Sequence, residues 1–147
     1  MDLTGSLDVD GTELHSTAVT DEFACWAAEL PGGGTVSILV EPAGPATAES
    51  IETAAAVIAE FATLAEAASA YLVTALAAPE WGLDAADRAR LATEAFAVPE
   101  AVVWEDGTWM LRFAQCDLAM GAEYGIGVDF VGRQPVGVED LSDVDEV

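Results

Sequence analysis

Lysine and asparagine are absent from this 147-residue chain, cysteine occurs twice, histidine once, and four Arg stand against 27 Asp and Glu. Each shortage removes a class of function. A net charge of -23 with no basic surface repels phosphates, which excludes nucleic-acid binding through a cationic face and disfavours docking on anionic membranes. His15, Cys25 and Cys116 are scattered too widely to form the closely spaced ligand set of a zinc site, so no metal and no cofactor is expected. Met1–Gly5 shows neither a basic segment nor an apolar run. An export signal is therefore not expected, a cytoplasmic location is, and the two cysteines read as reduced thiols rather than a disulfide. The longest apolar stretch, Ala54–Ala78, is rich in Ala and interrupted by Glu60 and Glu66, which fits a soluble helix and not a membrane span.

Hydrophobic residues make up 52% of the chain, ample for a core, so the acidity is not that of a disordered segment. The length fits one domain, residues 1–147, able to bury roughly two-thirds of the surface its unfolded chain exposes. The acidic segment 142–147 is a tail expected to fray. GC-rich coding would suppress Lys and Asn but favour Arg, and Arg is scarce. All four, Arg88, Arg90, Arg112 and Arg133, lie beyond position 87. Solubility alone asks for a net charge of only ~2–8 in magnitude. Two explanations remain: a cationic partner, or a salty cytoplasm.

Residues 3–10 and 12–19 can pair across the tight-turn dipeptide Asp10-Gly11. Glu22–Leu30 and Thr35–Glu41 read as strands around Pro31–Gly34, the second with Val36, Ile38 and Val40 on one face. Thr47 can cap one long helix over about 48–77, with Glu49 in its first turn. Asp84 can cap a shorter one to about Phe96, with Asp87 in a capping-box position. Ala101–Phe113 reads as a hairpin. A two-residue Asp106-Gly107 turn would set Trp104 opposite Trp109 and place Val102, Trp104, Trp109, Leu111 and Phe113 on one face. Gln115–Glu123 reads as a loop, Tyr124–Phe130 alternates into a strand, and Val136–Leu141 adds an edge strand. The expectation is an α+β fold: a single antiparallel sheet of about five to seven strands with two helices packed on one face, in the order strands-helix-helix-strands.

Catalytic constellations are weak. Asp117, Glu123 and Asp129 lie near glycines and could line a pocket, but acids are so common here that surface acids are the default. A dyad of His15 with Cys25 or Cys116 has no supporting motif. Asp140–Glu146 lacks the spacing of a calcium loop, and Pro31–Gly34 lacks the Lys-Ser/Thr of a phosphate loop. No catalytic residue is assigned, and the chain reads as a non-enzyme. Candidate partner-binding residues are Glu49, Glu52, Glu60 and Glu66 on the polar side of the long helix, with Glu80, Trp81, Asp84 and Asp87 around the helix corner, where Trp81 could anchor a basic protein.

The turn Trp104-Glu105-Asp106-Gly107-Thr108-Trp109, the strand Leu111-Arg112-Phe113 and the strand Tyr124-Gly125-Ile126-Gly127-Val128 resemble small acidic bacterial proteins of the kind that serve as immunity proteins in polymorphic toxin systems. The resemblance covers the last third of the chain and implies a protein that occludes a toxin by direct contact. It carries over no catalytic residue. The leading expectation is an acidic, non-enzymatic inhibitor of a basic effector such as a nuclease. The alternatives are an accessory domain of a salt-adapted cell whose acids serve hydration, a small ligand-binding domain, and a nucleic-acid mimic. The oligomeric state is left open.

Overall fold

The dipeptide Asp10-Gly11 turns the chain with both residues at positive φ, 49° and 89°. This type I′ geometry matches the twist of two antiparallel strands, here β1 (Leu7–Val9) and β2 (Thr12–Val19). The computed structural model describes residues 5–31, 33–91, 96–116 and 125–139. β3 (Ala24–Glu29) and β4 (Thr35–Val40) follow, then α1 (Ala48–Ala59), α2 (Phe61–Leu76), a 3₁₀ turn at Pro79–Trp81 and α3 (Ala85–Leu91). β5 (Phe96–Trp104), β6 (Trp109–Cys116), β7 (Ile126–Val131) and β8 (Gln134–Glu139) complete the order.

The strands make one eight-stranded sheet in chain order, β1 to β8. It is larger than the five to seven strands expected, and it is mixed rather than antiparallel, because β5 runs parallel to β4 from Thr35↔Glu100 to Leu39↔Trp104. The helical segment supplies the reason. A parallel neighbour needs a crossover of a dozen or more residues, and three helices rather than two carry the chain back to the starting end of β4.

The expected 48–77 helix breaks at Glu60, whose backbone is non-helical (φ −125°, ψ 25°). No Gly or Pro marks the break. Phe61, buried, opens α2, and Leu64, Ala68, Leu72 and Leu76 continue its buried stripe. No single helix among the described residues is long and apolar enough to cross a membrane. Phe96, expected to end the second helix, instead opens β5, where its ring packs on Phe113 with centroids 5.6 Å apart. The edge strand is Gln134–Glu139 and not Val136–Leu141; position 141, like the 117–123 loop and the 142–147 tail, lies outside the described residues.

The β5–β6 hairpin corrects a register. The Gly107 N–H donates to the Trp104 carbonyl (3.0 Å) and the Trp104 N–H to the Thr108 carbonyl (2.9 Å). The loop is therefore three residues, Glu105-Asp106-Gly107, with Gly107 at φ 83°, a turn ending in a glycine bulge. One extra loop residue slips the pairing by one and moves side chains across the sheet. Val103 joins Trp109, Leu111 and Phe113 among the buried residues, and Trp104 is left half-buried.

The chain divides into two compact units. Unit 1 is Met1–Phe61 with Glu100–Met110, and unit 2 is Ala62–Pro99 with Leu111–Val147. In unit 1, α1 packs on β4 and β1. One sheet face buries Leu14, Ala24, Trp26, Val36, Ile38 and Val103; the alternate residues Cys25, Ala27, Ser37, Leu39, Val102 and Trp104 are only half-buried. In unit 2, Ile126, Val128 and Phe130 of β7 are buried. A side chain at Gly125 (φ 80°) would overlap the Phe113 carbonyl oxygen, so a strand backbone approaches too closely for any other residue.

Candidate functional site

The candidate acids fall on both units, and the local structure decides what each can do. On unit 1, Thr47 caps α1. Its Oγ1 accepts from the Ser50 N–H (3.1 Å) and donates to the Glu105 carbonyl (2.6 Å). One turn later the Thr53 hydroxyl donates to the Gly107 carbonyl (3.1 Å). The first turns of α1 are thus latched to the β5–β6 loop, which fixes the helix about its own axis. Glu49 and Glu52 then face solvent, exposed, while Glu60 at the helix end is half-buried.

On unit 2, Glu66 is exposed on α2. Glu80 lies within the 3₁₀ turn, and Trp81 beside it is half-buried. Asp84 is exposed, but its carboxylate accepts from the Asp87 N–H (2.8 Å) and so caps α3. Asp87 is turned inward, 5% exposed, and accepts from the Arg90 guanidinium at 2.9 Å. Of the eight residues, Glu49, Glu52 and Glu66 are exposed carboxylates with no internal role shown, while Asp84 and Asp87 hold α3 together.

Other acids have specific partners. The Asp106 carboxylate accepts from both the Thr108 hydroxyl (2.6 Å) and the Thr108 N–H (3.0 Å). These bonds, the hydroxyl first, hold its pKa below the ordinary 3.8. Asp129, once considered with Asp117 and Glu123 as a pocket acid, sits opposite Gly137, one diagonal step from Glu139. A hydrogen bond from Glu139 to Asp129, then burial, then the like charge, raise the Glu139 pKa above its ordinary 4.5. Asp117 and Glu123 lie outside the described residues.

Cys25, half-buried, and Cys116, buried, are not joined in a disulfide. His15 is exposed, 3.9 Å from Glu13 and 3.5 Å from the Ser6 hydroxyl, and its register partner on β3 is Ala27 rather than Cys25. Among the described residues no three His, Cys, Asp or Glu side chains converge to hold a metal ion.

No family model, no curated protein and no solved structure matches this chain. The reading of the site therefore rests on its own geometry.

Sequence reasoning missed the half-buried face of unit 1. Alternation in β3 and β4 showed that a second face existed. Its composition depends on the parallel register of β5, and the slipped hairpin adds Trp104 to it. Neither is written in the local sequence.

Proposed function

We propose that this chain is a non-enzymatic acidic protein-binding module, an immunity-type inhibitor of a basic effector such as a nuclease toxin. The observation that carries the reading is the charge of unit 1. All four Arg belong to unit 2, so unit 1 contains no Lys or Arg, and its single base of any kind is His15. Its exposed carboxylates, Glu49 and Glu52 among them, have no permanent cation within their own unit. Such a field raises the encounter rate with a cationic protein, and apolar contact then sets how long the complex lasts. The test is to mix the protein with basic toxin domains encoded by neighbouring genes and to titrate salt. Expected is binding whose association rate falls steeply between low and physiological ionic strength. No binding by any neighbour, or binding indifferent to salt, defeats the proposal.

A second reading draws on a different observation: exposed acids occur on both units, as at Glu13, Asp21 and Glu29 in one and Glu66 and Asp84 in the other. A protein whose acids serve hydration in a salty cell carries them everywhere. A thermal melt separates the two, since the salt-adapted protein unfolds at low ionic strength and the inhibitor stays folded.

A further inference from the structure

The half-buried face of unit 1 is built in cross-strand rows. His15, Ala27, Ser37 and Val102 align across β2, β3, β4 and β5. In the next row Ala18, Cys25, Leu39 and Trp104 align in the same way. Side chains alternate between faces along a strand, so both rows lie opposite the face that buries Trp26, Ile38 and Val103. None of the six residues that these rows take from β3, β4 and β5 is fully buried. By strand spacing, four strands and two to three rows make a patch about 14 Å across and about 13 Å long. That is the size of the central cluster of an interface, well short of the ~800 Å² per partner of a whole one.

The margin of this patch is acidic. Beyond the His15 row lie Glu29, Thr35 and Glu100, aligned on β3, β4 and β5, with exposed Glu13 two residues before His15 on β2. Beyond the Trp104 row lie exposed Glu41 and Asp106. An aromatic and aliphatic centre with charge at the rim is the arrangement in which a few buried anchors carry most of the binding energy.

We infer that this face of unit 1, centred on Leu39 and Trp104, is the docking surface, and that its occupant is a protein segment with an apolar anchor flanked by Arg or Lys. The inference rests on the proposed protein-binding role and names its surface. The occupant follows from charge complementarity. The rim carries the exposed acids Glu13, Glu29 and Glu41, and unit 1 has no Lys or Arg of its own. A second copy of the chain would bring the same negative charge, and an anionic surface would be repelled.

The test compares two synthetic peptides by calorimetry and by backbone amide shifts at low salt: nona-arginine, and a peptide of the same length with Trp at its fourth and sixth positions. Expected is about tenfold tighter binding of the Trp peptide, with shifts on β3, β4 and β5. Ser37→Arg puts a cation in the patch from a half-buried position on the face away from α1, and is expected to weaken the Trp peptide at least tenfold. Trp104→Phe keeps an aromatic and provides a milder second variant, expected to weaken it a few-fold. Thr74→Ala, at an exposed position of α2 on unit 2, is expected to change little. If both peptides bind equally, with shifts on α1 or α3 and no effect of Ser37→Arg, the surface is wrong while the attraction for cations survives. If neither peptide binds, the surface and the proposed function fall together.

Discussion

The two units handle negative charge in opposite ways. Unit 2 owns all four Arg, and two of them have shown roles within it: Arg90 holds Asp87 and Arg88 donates to the Leu83 carbonyl (3.2 Å). Its acids are drawn into the same work, Asp84 capping α3 and Glu139 hydrogen-bonded to Asp129. Unit 1 has no Lys or Arg. The shown partners of its acids are Thr108 for Asp106 and a distant His15 for Glu13. Carboxylates that are capped or paired lower the energy of the fold itself. Carboxylates left in water cost some self-repulsion and keep their attraction for whatever arrives. The contrast separates structural acidity from acidity available to a partner, and the net charge of the chain does not distinguish them.

The largest expected effects come from backbone positions in each unit. In unit 2, Gly125→Ala meets both a left-handed φ and overlap with the Phe113 carbonyl oxygen, at a cost of about 3 kcal/mol or more. In unit 1, Gly107→Ala has a similar φ, but the new methyl meets the Thr53 hydroxyl and Glu49 Cβ at 3.3 and 3.4 Å and the Glu49 carbonyl oxygen only at 3.6 Å. About 1–2 kcal/mol is expected there. Urea denaturation of both variants checks the order. A larger loss for Gly107→Ala would mean that the latch between α1 and the hairpin loop, and not the tight strand approach of unit 2, is the more rigid element.

These two glycines also show what could be read in advance. Gly125 stands among alternating apolar residues, a pattern that marks a bulge or a close approach, and close approach is what occurs. The Asp10-Gly11 turn, the Thr47 cap and the buried face of β4 were likewise legible, because each depends on neighbours within a few residues. Asp106-Gly107 was ambiguous: the same dipeptide serves a two-residue turn or the end of a three-residue one, and the difference moves Trp104 to the other face. The parallel pairing of β4 with β5 depends on where three helices return the chain, which no local pattern records. The site divides in the same way. Helical periodicity foretold the exposure of Glu49, Glu52 and Glu66, whereas Asp87 looks like its acidic neighbours until Arg90 and burial are seen. The Leu39–Trp104 row required a register that only the folded sheet supplies.

The helix caps give an intermediate test of the same contrast. Thr47→Ala removes two bonds, the cap on Ser50 and the link to Glu105, and is expected to cost about 2 kcal/mol. Asp84→Ala removes one shown bond, to the Asp87 N–H, and is expected to cost about 1 kcal/mol. Denaturant midpoints measure both. Equal losses would indicate that the Glu105 link adds nothing beyond the cap itself.

The smallest expected effects lie in titration, and here the units differ in sign. Asp106 of unit 1 has a lowered pKa, so the stability it contributes is present above the unfolded value of 3.8 and is lost as pH falls through its depressed midpoint. Glu139 of unit 2 has a raised pKa, so its contribution is full below the unfolded value of 4.5 and disappears as pH rises through its elevated midpoint. The first contribution therefore grows as pH rises and the second as it falls. Carboxyl resonances followed through an acid titration should place Asp106 below 3.8 and Glu139 above 4.5. Thr108→Val should move Asp106 upward by removing its hydroxyl donor, and Asp129→Ala should return Glu139 toward its ordinary value. If Glu139 stays high in Asp129→Ala, burial and not the bond to Asp129 sets its midpoint. Unit 2 would then lose one of the internal arrangements that distinguish its acids from those of unit 1.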